Sequence, residues 1–250
     1  MNYYLNNVTI YRTHLTLLDP LFYAREGLSG GFTPMVIHAT ALNHAYAATI
    51  GLNLPGQAYL QVSNESVRSP NVPFYQNSLV MDRIYLTPME PSNSISYIAE
   101  TTKGDHDGFI SKTKQGEILK AYRLHYIPPD TAFEGFALAL GNAIVEDKLI
   151  LRLGSFRGSG RFRTDKIGAP LKILANVFVN HTVDPLVSHV SRGAAVNIFP
   201  YPILRNARCQ KAYQVVFRGR KMMVAIPLGY PESTEKQERI KQNKSGTAII

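Results

Sequence analysis

Cysteine is nearly absent from this 250-residue chain, with Cys209 standing alone. A single thiol excludes an intrachain disulfide and a cysteine-based zinc site, and it fits a reducing, cytoplasmic setting. Acidic residues are also scarce, 18 against 27 Lys and Arg, so the formal net charge is +9. Long apolar runs are missing. No stretch approaches the ~18–20 residues that a membrane helix needs, so no membrane partner is expected. The opening Met1-Asn-Tyr-Tyr-Leu-Asn-Asn7 has no basic segment followed by an apolar run, so no secretory signal is expected. The chain also lacks a His-Glu-x-x-His pair, a phosphate-loop lysine signature, a nucleophile elbow and a dinucleotide fingerprint. These absences leave no expected metal, cofactor or catalytic centre.

What remains is a hydrophobic fraction of 45% beside a charged fraction of 18%. That balance supports a substantial core and excludes disorder of the whole chain. The basic excess favours an acidic partner, nucleic acid foremost.

Its concentration is more telling. Leu151-Arg-Leu-Gly-Ser-Phe-Arg-Gly-Ser-Gly-Arg-Phe-Arg163 reads as a strand, a glycine-rich loop and a returning strand. Arginine supplies planar, permanently charged donors that match phosphate. Glycine permits close backbone approach. Residues 152–172 hold six basic side chains against one acid, and residues 203–221 hold six with none. Arg152, Arg157, Arg161, Arg163 and Lys166, with Gly154, Gly158, Ser159 and Gly160 of the loop, form the first candidate phosphate grip. Gly158 and Gly160 are read as backbone N–H donors to it. Arg205 and Arg208 are read as extending the track, and Lys112 and Lys114 are expected on an exposed turn at Ser111–Gly116. Phe156 and Phe162 are candidates either for base stacking or for the core.

Around this hairpin the pattern is strand-rich. Val8–Leu17 reads as the first strand. Thr33-Pro34 reads as a helix start, with Met35, Ala39, Leu42, Tyr46 and Ile50 as the apolar stripe and His38 and Asn43 off it. Strand pieces follow at Ser78–Leu86, Ile95–Glu100 and Ala121–Ile127, then at Phe133–Leu140 and Lys148–Leu153. Leu171–Val179 fits a strand or a short helix. Val196–Leu204, Tyr213–Phe217 and Met222–Leu228 are further strands, the last two joined by a turn at Arg218–Lys221. Residues 53–129 read as a strand-rich insertion in a single domain spanning 1–230, with a polar tail at 231–250.

Catalysis has only thin candidates. His14, His38 and His44 could approach one another, and metal-free RNA cleavage would need such a general acid and base, with Tyr46 as a further candidate. Gly104-Asp-His-Asp-Gly108 has ligand-like composition, which an exposed polar turn shares.

Several blocks, in order, resemble one family. They are Leu21-Phe-Tyr-Ala-Arg-Glu-Gly27, Ile37-His-Ala-Thr-Ala-Leu42 and Ile84-Tyr-Leu-Thr-Pro-Met-Glu-Pro91, then Leu151-Arg-Leu-Gly154, Asp184-Pro-Leu186, Asn197–Ala207 and Ile226-Pro-Leu-Gly229. Together they resemble the CRISPR-associated subunit that caps the guide RNA in type I-D Cascade complexes, a member of the RAMP superfamily. The spacing of Ala24 and Arg25, and the Met-Glu pair at 89–90, depart from the family pattern.

The resemblance implies an α+β fold: a ferredoxin-like (RRM-like) core with an antiparallel sheet and a strand-rich thumb insertion. It implies a non-catalytic RNA-binding subunit that holds the crRNA 5′ handle, with Arg25 in a matching motif as a further contact. It also implies contacts with the Cascade large subunit, with a backbone subunit and with target DNA near the PAM. A related subtype cuts RNA, so a metal-independent repeat endoribonuclease of the same superfamily is the alternative.

Overall fold

The computed structural model describes residues 5–23, 33–51, 83–103, 121–154, 157–197 and 202–232. A short 3-10 turn at Leu5–Asn7 leads into strand β1, Val8–Leu17. Its β-branched and aromatic residues suit a pleated, half-buried surface.

β1 is the middle of the first sheet. It runs antiparallel to β6 (Ala132–Leu140) on one side and to β8 (Gly158–Gly168) on the other. β2 (Ile84–Leu86) and β3 (Glu90–Pro91) pair with the far edge of β6, and β7 (Leu149–Leu153) pairs with β8. The order is β2-β6-β1-β8-β7. β1 and β2 both run antiparallel to β6, so they are parallel to each other, and helix α1 (Ala39–Thr49) lies between them in the chain. Leu42 and Tyr46 of α1 pack on the odd-numbered side of β1, against Tyr11, Leu15 and Phe162. Tyr46 meets Phe162 edge-on at 5.9 Å, and its hydroxyl accepts from Glu146 N at 2.7 Å.

The second sheet is built on β11, Ile203–Phe217. β9 (Lys172–Phe178) runs along one edge, while β10 (Val190–Asn197) and β12 (Arg220–Ala225) share the other. Its Tyr213, Val215 and Val224 cover Val8, Ile10 and Leu138 on the even-numbered side of the first sheet. The cover stops at Phe136. Beyond it the even side carries Arg12, His14 and Thr16, which are only partly buried. β4 (Ile98–Lys103) and β5 (Ala121–Tyr126) form a separate two-stranded ribbon.

Most expected strands are present, but several boundaries move. Leu171–Val179 is a strand, β9. The single strand expected at Val196–Leu204 is instead the end of β10 and the start of β11, which pair antiparallel. The expected helix start is displaced to Ala39, with His38 as its cap: Thr40 N donates to His38 Nδ1 at 3.1 Å. Thr33 is occupied elsewhere. Its N–H donates to His125 O at 3.0 Å and its hydroxyl accepts from Tyr23 N at 3.2 Å. Ile37 bridges to Met89 before the chain can coil.

Asn43 is fully buried rather than off the packed face. Its side chain donates to Ala39 O (2.8 Å) and Leu86 O (2.9 Å) and accepts from Leu86 N (3.0 Å), stitching α1 to β2. A polar side chain that satisfies three groups at once is a packing element despite its polarity.

The Arg218-Gly219 turn joins β11 to β12 as expected. Both residues have positive φ, 47° and 77°, the requirement of a tight two-residue hairpin turn.

Candidate nucleic-acid interface

The expected glycine-arginine hairpin is the β7–β8 pair, in register from Leu149↔Phe162 to Leu153↔Gly158. Directly opposed residues of an antiparallel pair share a face. His14 opposes Arg163, Thr16 opposes Arg161, and on the outer side Ile150 opposes Arg161 while Arg152 opposes Ser159. Arg152, Arg161 and Arg163 therefore lie on the open, even side of the first sheet, and all three are exposed. Along β8, Arg161 and Arg163 are two residues apart, about 7 Å of strand rise. Among the described residues neither has an ion pair. Ile150, 47% exposed, adds an apolar contact to the same face. Arg157 is exposed at the start of β8, and its carbonyl accepts from the Arg152 guanidinium at 3.2 Å.

The glycines allow close packing within the chain itself. A Cβ on Gly154 would stand 2.4 Å from Phe22 O, and one on Gly158 would stand 2.8 Å from Pro20 O. On Gly160 it would meet the buried Leu15 side chain at 2.8 Å. The close approach is to the chain's own Leu15–Phe22 segment. Two of the loop's N–H groups have partners within the chain. Gly160 is in register with Leu17 on one side and Leu151 on the other, so its amide points into a ladder. Ser159 N donates to Asp19 Oδ2 at 2.9 Å. That bond, with Arg152 nearby, holds the Asp19 carboxyl below its ordinary value. The Gly160 and Ser159 amides are thus occupied within the fold, while the side chains of Arg152, Arg161 and Arg163 stay exposed.

The other expected contacts scatter. Lys166 opposes Tyr11 and so sits on the helix side of the sheet, away from Arg161 and Arg163. Arg205 is committed to Glu90, with Nε and a terminal nitrogen 2.9 and 2.8 Å from Oε2, and it ties the second sheet to β3. Arg208 lies on the second sheet, where its Nε donates to Asn176 O at 2.9 Å. Phe162 is fully buried and belongs to the core, not to a stacking surface. Arg25, Lys112, Lys114, Phe156 and the Asp105-His-Asp107 turn lie outside the described residues.

The three histidines do not converge. His14 stands on the open face between two carboxylates, its Nδ1 3.4 Å from Glu134 Oε1 and its Nε2 3.5 Å from Asp165 Oδ2. Glu134 is also bonded by Arg12, which stacks 4.8 Å over Phe136. His38 and His44 belong to the α1 segment, and burial lowers the His44 pKa. A fourth histidine is structural. His181 is buried, accepts from Ala225 N at 3.1 Å through Nε2, and has Nδ1 2.6 Å from Thr182 O. Burial lowers its pKa to about 4, so it is neutral at pH 7. Cys209 is buried and its thiol is pushed up to about 11, which leaves it unreactive. Among the described residues no group of three or more potential ligands could hold a metal ion.

Sequence reading missed the two acids that flank His14, because Glu134 and Asp165 reach it only through strand pairing. It also missed Arg192, which lies in a stretch with no strand signal of its own. Arg192 is exposed and stacks 5.1 Å over Phe178.

A family described as "Type I-D CRISPR-associated protein Cas5/Csc1" matches this chain over residues 8–233. No curated relative matches it. Among solved structures, oligomeric Cmr4 from Pyrococcus furiosus is similar over 64% of this chain and 99% of its own, at 11% identity and a TM-score of 0.32. A chain of the Type III-B Cmr-beta complex bound to cognate target RNA and AMPPnP is similar over 96% of this chain and 90% of its own, at 8% identity and a TM-score of 0.41.

Proposed function

The chain belongs to the type I-D CRISPR-associated Cas5/Csc1 family, and from that membership we propose that this CRISPR effector subunit grips the 5′ handle of the guide RNA without cutting it. The observation that carries the reading is the open side of the first sheet, where Arg152, Arg161 and Arg163 stand together, exposed and free of ion pairs among the described residues. An antiparallel sheet with an uncovered face can support unstacked single-stranded RNA. Guanidinium groups along it bind the phosphates and set the strand's register.

The core of this subunit is ferredoxin-like. Support comes from the β1–α1–β2 crossover and from β1 lying between β6 and β8, with β2 outside β6. In place of a second helix between β6 and β8, the described chain runs through β7. Of the expected insertion at 53–129, β2 and β3 belong to the core sheet through β6, and the β4–β5 ribbon is the described part of the thumb, within one domain spanning 1–230. The subunit meets the Cascade large subunit and a backbone subunit, and it lies near PAM-proximal target DNA. Target sequence is read by guide pairing, so its own contacts to RNA are to shape and backbone.

One observation favours the endoribonuclease alternative: His14 is positioned on the open face next to Arg163. Its two ring nitrogens, however, each face a carboxylate, and among the described residues no second histidine joins it there.

The test is isolation of the assembled complex carrying Arg157→Glu with Arg161→Glu. The expected result is severe loss of guide RNA with the subunit still folded by circular dichroism. Guide RNA retained at the wild-type level overturns the proposed grip. Incubating the purified protein with labelled repeat RNA addresses the alternative. Specific cleavage lost on His14→Ala would establish an enzyme in place of a passive holder.

A further inference from the structure

The second sheet carries a feature that the guide-holding hairpin does not use. Across three adjacent strands, Arg192 of β10 opposes Arg208 of β11, which opposes Phe178 of β9. Opposed residues share a face, so the three form one row across the sheet. Phe178 is 50% exposed, an unusual exposure for a large aromatic ring in a strand. Arg192 lies 5.1 Å from its ring centroid, a cation–π distance. Arg208 is held through its Nε, which donates to Asn176 O at 2.9 Å. Asn176 itself adopts φ 53°, a left-handed conformation within a strand. Such a conformation is uncommon for a side-chain-bearing residue, although asparagine tolerates it best.

The charge around this row is one-sided. Residues 171–230 contain eight Lys and Arg and a single acid, Asp184. Asp184 is fully buried, so that stretch offers no carboxylate at the surface to oppose a polyanion. Three of the eight cations are held by acids from elsewhere in the chain: Arg205 by Glu90, Lys211 by Glu232 and Arg218 by Asp165. Arg192 and Arg208 have no such acid among the described residues.

We propose that Phe178, Arg192 and Arg208 form a second RNA subsite, in which an unstacked base takes the place of the Arg192 guanidinium over the Phe178 ring and the flanking phosphates meet Arg192 and Arg208. The inference rests on the RNA-binding reading above but concerns a different sheet and different residues. An exposed aromatic ring offers a face to any base, and stacking on it is tolerant of sequence. The paired arginines supply the backbone attraction that a lone aromatic lacks. An acidic peptide would satisfy the arginines, but the ring in line with them is better matched by a base.

The experiment uses the full chain and two fluorescein-labelled probes, a 12-nucleotide oligouridine and its deoxyuridine counterpart. Phe178→Leu keeps an apolar side chain of similar bulk and removes the ring. It should weaken oligouridine binding by about tenfold, from the loss of one stacked base. Arg192→Gln with Arg208→Gln should weaken it comparably at low salt and progressively less as salt rises. A 5-bromouridine probe should photocrosslink to Phe178.

An unaltered affinity for Phe178→Leu, when Arg161→Gln with Arg163→Gln does weaken binding, overturns this subsite and leaves the primary grip standing. Loss from neither pair overturns both. Equal loss on the deoxyuridine probe supports a single-strand subsite indifferent to sugar, whereas loss on the RNA probe alone supports one in which the 2′-hydroxyl is also read. Normal RNA affinity with failed assembly into the complex would make the row a protein contact and overturn the proposal.

Discussion

Replacing Arg161 and Arg163 with glutamine tests the electrostatic core of the functional reading. Both side chains are exposed on the open face, and neither has an ion pair among the described residues. Their loss should therefore leave stability within about 0.5 kcal/mol of wild type. If each contacts one phosphate of a single strand, each contributes about 0.7 to the slope of log affinity against log salt. The double variant should thus show a slope shallower by about 1.4. Raising salt fourfold, from about 50 to about 200 mM, should cost the variant about sevenfold less affinity than it costs the wild type. The assay is fluorescence anisotropy with a labelled handle oligonucleotide over that salt range, with thermal unfolding as the control. The comparison is insensitive to further contacts elsewhere, since those enter both slopes equally. Parallel slopes with an unchanged melting point would refute the assignment of these two arginines to phosphates.

Two further outcomes follow from the packing. Gly154→Ala should destabilise the protein by at least about 2 kcal/mol, because φ is +74° and the new Cβ would meet the Phe22 carbonyl oxygen at 2.4 Å. Gly168→Ala, at φ +107° with nothing within 4 Å, isolates the backbone contribution; equal losses in urea unfolding would refute the clash at Gly154. Stability should also fall as pH drops from about 6.5 toward 4, because His181 is held neutral by burial with its pKa near 4 while the unfolded chain takes up the proton at its ordinary value. The stability lost across that window amounts to about 3 kcal/mol. Urea midpoints at several pH values should show the fall, and His181→Gln should flatten it; an identical slope in that variant would assign the acid sensitivity elsewhere.

The strands legible in sequence were those whose signal is local. β1, β6 and β7 declare themselves through alternating or continuous apolar residues, and the Arg218-Gly219 turn through its glycine. The helix start was misread because Thr33-Pro34 has good capping chemistry, while Thr33 is bonded to Tyr23 and His125 instead. Local preference yields when a distant partner offers the same groups a better bond. β10 escaped notice for the opposite reason. Ser191–Ala195 is exposed and holds no large apolar residue, and it becomes a strand only because β11 supplies its ladder.

The charge of this protein, its scarcity of acid and the clustering of its arginines were decided by sequence alone, because charge is a property of residue identity and needs no neighbour. The side of the sheet each arginine occupies was partly legible from the two-residue period of a strand, which separates Arg161 and Arg163 from Phe162. Tertiary structure decided which cations are spent and which are free. Glu90 reaches Arg205 from 115 residues away, and Asp19 reaches Ser159 from 140. Contacts of that range depend on how strands pair and sheets stack, which no local pattern specifies.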